Sequence, residues 1–241
     1  MSTDAPRAEL LSEPAHSPRT GLDPRTHRRQ EAVKRSPGSG AATGEMMRLF
    51  VAIAPPPAVL DELDALVEPL RSRRQDLRWT NREAWHVTLA FLGQVDESAV
   101  AKLLPRLERA ARRDGNIQLA FAGAGAFPAA GRANVLWSGL SGDCEPLARL
   151  AESVAAGASR VSTPPPDKGR RFQPHLTLAR CRMPADVTEL VAALAGYQGQ
   201  TWAADRIHLV RSRLGATEQP RYTSLASWLL RARDRDADSA S

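Results

Sequence analysis

The sequence predicts a mixed fold of the α/β or α+β class, built as two pseudo-symmetric βαβαβ-type lobes around a central cleft. Three observations lead there. Strand-like and helix-like apolar patterns alternate along most of the 241 residues, the alternation runs through twice, and one short motif recurs at the same place in both passes.

The first pass begins abruptly. Residues 1–45 contain no Phe, Trp or Tyr, five prolines and charges of both signs, too little apolar surface to offset ordering entropy, and are expected to be a disordered tail. Met46-Met47-Arg48-Leu49-Phe50-Val51-Ala52-Ile53 then reads as a strand, closed by Pro55-Pro56-Pro57. Val59, Leu60, Leu63, Leu66, Val67 and Leu70 recur at helical spacing and predict a helix over 59–73. A strand over 85–93, a helix over 96–113 and a strand over 117–123 complete the pass.

After a turn-rich stretch over 123–131 the order starts again: strand 134–140, helix 145–158, strand 172–180, helix 186–194 and strand 207–214, with a last strand over 222–230. The spacing agrees as well as the order. Phe50 precedes His86 by 36 residues and Trp137 precedes His175 by 38; Ile117 follows His86 by 31 and Ile207 follows His175 by 32. A duplicated unit of this length implies two related lobes rather than a solenoid, with strands drawn from roughly 48–123 and 133–230 of one domain over 46–231. Residues 232–241 are expected to form a disordered C-terminal tail.

Composition excludes several classes. A hydrophobic fraction of 42% and a charged fraction of 25% are those of a soluble globular chain, no apolar run could span a membrane, and no secretory leader pattern is visible, so a cytoplasmic location is expected. The two cysteines, Cys144 and Cys181, lack CxxC spacing and suggest neither a disulfide framework nor a zinc cage. The net charge of +6, carried almost wholly by arginine, suits a polyanionic partner but also suits arginine on ordinary solvated faces.

The recurring motif is His-x-Thr-Leu: His86-Val87-Thr88-Leu89 and His175-Leu176-Thr177-Leu178. On a strand the His and Thr project to one face, and the apolar residues between and after them project to the other. If the lobes pair about a pseudo-twofold axis, two imidazoles and two hydroxyls converge on one cleft. That geometry suits in-line displacement at phosphorus: one imidazole takes a proton from the attacking water while the other protonates the departing oxygen. Thr88 and Thr177 can donate to the non-bridging oxygens, where charge builds. One such motif on a strand is a common accident; two at matching places in a duplicated unit are not.

These residues, with Arg48-Leu49-Phe50-Val51-Ala52-Ile53, Ala90-Phe91-Leu92-Gly93, Gly125-Ala126-Phe127-Pro128, Val135-Leu136-Trp137, Pro174, Ala179-Arg180, Leu209 to Leu214 and Tyr222, resemble the bacterial RNA 2′,3′-cyclic phosphodiesterase family, also called 2′-5′ RNA ligases, of the two-histidine phosphoesterase superfamily. The resemblance covers roughly 47–230; Gln219 departs from it, standing where the family commonly has glycine. It implies a bilobal two-histidine phosphoesterase fold and an enzyme, an RNA 2′,3′-cyclic 3′-phosphodiesterase, that hydrolyses terminal 2′,3′-cyclic phosphates to 2′-phosphomonoesters without a metal or other cofactor. It also implies His86 as proton donor to the 3′ oxygen and His175 as proton acceptor from water, with 2′-5′ ligation as the reversal. The implied partner is RNA with cyclic phosphate ends, tRNA fragments among the candidates, and the expected state is a monomer.

The family's phosphate-contacting arginine matches Arg180. Strict alternation places Arg180 on the face opposite His175 and Thr177, so the role requires the strand to end or bulge near Ala179. Phe50 either faces the cleft, where it could stack a terminal base, or packs in the core. Trp85, Trp137, Trp202 and Trp228 read as packing residues, and His208 as a surface strand residue. His16 and His27 lie in the tail, which leaves His86 and His175 without a ligand cluster for a catalytic metal. The alternative functions are a small-nucleotide cyclic phosphodiesterase of the same superfamily, which basic charge on the cleft rim would disfavour, and a non-catalytic RNA-end-binding protein, which two intact His/Thr sets disfavour.

Overall fold

The computed structural model describes residues 45–113, 115–159, 172–214 and 220–231. The expected tails over 1–45, Glu45 apart, and 232–241 lie outside the described residues, as does Gln219. The first strand, β1 (Met46–Ile53), ends at the proline run, and Pro57 occupies the first position of α1 (Pro57–Arg73), where a missing N–H costs no helical hydrogen bond. Helix α1 buries Val59, Leu63, Val67 and Leu70, a single stripe of the periodic pattern that predicted it. A short strand β2 (Leu77–Trp79) precedes β3 (Val87–Asp96), and α2 (Glu97–Ala111) starts where the Asp96 carboxylate accepts a hydrogen bond from Ser98 N at 2.8 Å. The remainder is β4 (Ile117–Phe127), β5 (Ala133–Gly142), α3 (Cys144–Ala158), β6 (His175–Ala185), α4 (Thr188–Leu194), β7 (Trp202–Ala204), β8 (Arg206–Leu214) and β9 (Pro220–Leu229).

Every strand pairing among the described residues is antiparallel, which resolves the fold class to α+β. The strands form one sheet in the order β7-β4-β5-β6-β3-β1-β8-β9, with β2 paired to β6. Its two halves are joined at the middle by a single pair, Val87 opposite Leu176. On one side of this seam lie β3, β1, β8 and β9; on the other lie β6, β5, β4 and β7, with β2.

These halves are the two lobes, but chain order does not divide them. The expected lobes took strands from 48–123 and from 133–230. Instead β4 crosses to pair with β5, and β8 and β9 return to extend the sheet from β1. Helices cross too. Helix α3, from the second pass, packs on β3 and α2, while Glu62 of α1 accepts a hydrogen bond from Gln200 N at 3.1 Å, just before β7. Periodicity reports which face of a strand is apolar; its neighbour is set by long-range register, which no local pattern encodes.

Two more differences are local. Strands β2 and β7 are three residues each, too short to leave a period. Strand β4 runs on to Phe127 through the stretch expected to turn, because Gly123, at φ +59°, absorbs an irregularity in the β4–β5 register and lets pairing resume. Apolar side chains from both halves of the sheet and from all four helices join in one buried cluster, including Leu49, Val51, Leu63, Val87, Leu107, Phe121, Leu150, Leu176 and Leu190.

Candidate active site

The two His-x-Thr motifs meet antiparallel at their middle residues. Val87 and Leu176 are the paired residues of the seam, and both are fully buried. Continuing that register by one residue either way sets His86 beside Thr177 and Thr88 beside His175. Because neighbours along a strand alternate in face, all four polar side chains project to the side opposite the buried pair. The pseudo-twofold axis expected from the duplication therefore passes through the Val87–Leu176 pair.

Both motif strands carry a bulge directly after the motif. In β6, Trp137 lies opposite Thr177 and Leu136 opposite Ala179, leaving Leu178 as the extra residue. Leu178 and Ala179 are both fully buried, so alternation slips by one and Arg180 emerges exposed on the face of His175 and Thr177. That is the condition the arginine needed. In β3, Ala52 lies opposite Thr88 and Val51 opposite Ala90, so Leu89 is extra in the same way, and Phe91 emerges where Arg180 does. Phe91 is 60% exposed, an open aromatic face on the histidine side of the sheet. A second shift follows at Leu92, eased by Gly93 at φ +68°.

The imidazoles are held alike. His86 Nδ1 lies 2.7 Å from the carbonyl oxygen of Ala84, and His175 Nδ1 lies 2.8 Å from that of Gln173. A carbonyl only accepts, so each Nδ1 carries the proton and donates it, and each Nε2 is left to face the cleft. Burial pushes His86 down to about 4; the Ala84 carbonyl opposes that shift, and the charges of Arg180 and His175 add to it. Burial also lowers His175, against the Gln173 carbonyl and with a smaller contribution from Arg180. The same guanidinium is thus felt by both rings.

Each histidine is also packed by aromatics. His86 stacks on Phe50 at 4.7 Å between ring centroids and meets the edge of Tyr222 at 5.2 Å. His175 meets Phe127 edge-on at 5.0 Å, with Trp137 at 6.1 Å. Phe50 does face the cleft side, but it is 3% exposed beneath His86, Phe91 and Tyr222. The stacking surface expected of Phe50 is therefore corrected: its ring is used up in holding His86, and the ring left open is that of Phe91.

Trp137, expected only to pack, is half-buried beside His175, and the similar spacing of the two aromatics ahead of their histidines, 36 residues for Phe50 and 38 for Trp137, was the signal that could have drawn attention to it. Gly125 explains its seat, since a Cβ there would come within 2.3 Å of the indole. Trp85 and Trp202 are buried, and Trp228 packs against the core, as expected. His208 is not a plain surface residue: opposite Ala52, it shares the cleft face, with Nδ1 3.3 Å from Ser224 Oγ.

Cations gather on this face. Arg78 lies directly opposite Arg180 across the β2–β6 pair, and Arg48 lies two residues before Phe50 on the same face of β1. Like charges directly opposite on a sheet repel, which an anion between them relieves. Among the described residues, no three His, Cys, Asp or Glu side chains are grouped as a metal cage, and no helix is long and apolar enough to cross a membrane.

An antiparallel sheet hinged on two His-x-Thr strands and flanked, among the described residues, by four helices is a bilobal two-histidine phosphoesterase fold. A protein from Thermus thermophilus called RNA 2′,3′-cyclic phosphodiesterase is 31% identical over 192 residues, 77% of this chain and 91% of its own length. A protein of the same name from Archaeoglobus fulgidus is 31% identical over 136 residues, 56% of this chain and 73% of its own. Among solved structures, Escherichia coli LigT complexed with 3′-AMP superposes with a TM-score of 0.61 at 26% identity, covering 77% of this chain and 99% of LigT. The family model of the 2′-5′ RNA ligase superfamily matches residues 55–216, and the chain belongs to that superfamily.

Proposed function

We propose that the protein hydrolyses terminal 2′,3′-cyclic phosphates on RNA to 2′-phosphomonoesters, with 2′-5′ RNA ligation available at the same centre. The observation that carries this is the antiparallel meeting of the two motifs at Val87 and Leu176, which places an imidazole on each side of that pair, on one face of the sheet. His175 Nε2 accepts the proton of the attacking water. His86 Nε2 gives a proton to the departing 3′ oxygen, and the negative phosphate beside it raises its basicity from the low value burial imposes. Thr88 and Thr177 donate to the non-bridging oxygens, and Arg180 pairs with the same charge. Phe91 offers its open ring to the terminal base.

RNA is favoured over a small nucleotide by the basic cleft face, where Arg48 and Arg78 stand beyond Arg180. The relatives that carry the name RNA 2′,3′-cyclic phosphodiesterase support the same substrate class. In this reading the protein is a monomer of the cytoplasm, acting on RNA ends such as those of tRNA fragments, and each step is assigned to a side chain with no metal ion needed. Purified protein given RNA with a 2′,3′-cyclic phosphate end in excess EDTA should leave a 2′-phosphate end at an undiminished rate. A 3′-phosphate product, or activity lost on chelation and restored by zinc or magnesium, would contradict it.

A further inference from the structure

In-line displacement puts the entering oxygen on the side of phosphorus away from the leaving oxygen. With His86 serving the 3′ oxygen, the ribose and base of the substrate lie over the half of the sheet that carries Phe91, and whatever enters does so beside His175. Water entering there needs a proton acceptor and little else. The structure supplies more. Trp137 and Phe127 stand 5.3 Å apart between ring centroids, each half-buried, and both lie next to His175.

The indole is laid flat. Trp137 lies opposite Gly125 on the adjacent strand, and a Cβ on Gly125 would meet three atoms of the benzo ring at 2.3 to 2.9 Å; Gly139, the residue opposite His175, would bring its own Cβ within 3.4 Å of the same ring. Glycine at both places lets the ring rest against the sheet backbone, half-buried on the face that carries His175 and Thr177. Trp137 lies opposite Thr177, the place that Ala52 holds opposite Thr88, so the first motif has no indole there, and the aromatic that packs His86, Phe50, is covered to 3% exposure. The half-buried indole is thus found on the entering side alone, while on the leaving-group side the place is taken by the small side chain of Ala52.

We propose that Trp137, with Phe127, is a second nucleoside platform, which stacks the first base of an RNA whose free 5′-hydroxyl attacks in place of water. The proposal rests on the cyclic phosphodiesterase reading above and on its assignment of the two histidines. The step balances within the pair. His175 Nε2 accepts the 5′-hydroxyl proton as the O5′–P bond forms; the P–O3′ bond breaks, and O3′ takes the proton of His86. The products are a 2′-5′ phosphodiester and a free 3′-hydroxyl. The reverse step makes the same platform the seat of the departing nucleoside when a 2′-5′ linkage is cut.

The test follows RNA with a labelled 2′,3′-cyclic phosphate end, titrated with an oligoribonucleotide bearing a 5′-hydroxyl and, separately, with the same oligomer bearing a 5′-phosphate. Ligated product should rise to saturation with the first oligomer while hydrolysis falls, and the second should give no ligation. Trp137→Ala should lower the ratio of ligation to hydrolysis at fixed oligomer by roughly tenfold or more, the worth of one lost base stack, and Trp137→Phe should restore most of it. The ratio is internal to each enzyme, so a general loss of activity does not mimic the effect, and the wild-type titration needs no variant to fold. Hydrolysis without saturable ligation, or a ratio unchanged in Trp137→Ala, overturns the platform. Absence of hydrolysis itself would overturn the underlying reading instead.

Discussion

Replacing either histidine by alanine is expected to lower turnover by roughly 10² to 10⁴, the usual worth of a positioned acid or base. The expectation is symmetrical because the structure is: each ring starts or precedes a motif strand, donates Nδ1–H to the carbonyl two residues before it, and is held by an aromatic pair. The double variant should be scarcely slower than the worse single one, since the two act as a unit on one displacement. Folding should survive His175→Ala, as circular dichroism and melting will report. Near-normal turnover in either single variant would remove the two-histidine mechanism.

Acid is expected to destabilise the protein through His86. A histidine whose folded pKa lies below its unfolded value takes up a proton more readily when unfolded. Its contribution is therefore complete above the unfolded value of 6.5 and is lost as pH falls through the folded value of about 4. Burial sets the sign; the opposing Ala84 carbonyl is too small to reverse it. At about 1.4 kcal/mol per pH unit the full loss is about 3 to 4 kcal/mol. Other groups also titrate on the way down, including the lowered carboxyls of Asp76, Asp96 and Asp186 and the lowered rings of His175 and His208, so the measurement is a difference. His86→Phe, which keeps a ring among Phe50 and Tyr222, should lose less stability than wild type between pH 7 and pH 4 in urea titrations. Equal acid losses in the two proteins would show that His86 is not held neutral by burial.

Much of this site was legible in the sequence, and the physics says which parts. His and Thr of each motif share a face because strand period is two, and duplication brings the motifs together, so the four side chains and their common face could be read directly. Arg180 was conditional, since a bulge is a break in period; the signature Thr-Leu-Ala followed by Arg180 or Phe91 becomes informative only once both strands are seen to bulge at the same leucine. The sequence alone leaves Phe50 between the cleft side and the core and says nothing of its cover, because Tyr222 arrives from a strand more than 170 residues away. The flat seat of Trp137 depends on Gly125 of a neighbouring strand, and the exchange of β4 with β8 and β9 between lobes depends on register over still longer range. Pairing partners, not propensities, were the missing information.

Central to the mechanism is that one phosphate is attacked from the His175 side while its 3′ oxygen leaves on the His86 side, in a single step. A 2′,3′-cyclic phosphorothioate of one configuration at phosphorus, opened in ¹⁸O-labelled water, tests that most directly. The 2′-thiophosphate product is expected to form with inversion at phosphorus and to carry one labelled oxygen. Retention of configuration would contradict the mechanism, because retention requires a second displacement through a covalent enzyme intermediate or an attack from the same side as the leaving oxygen.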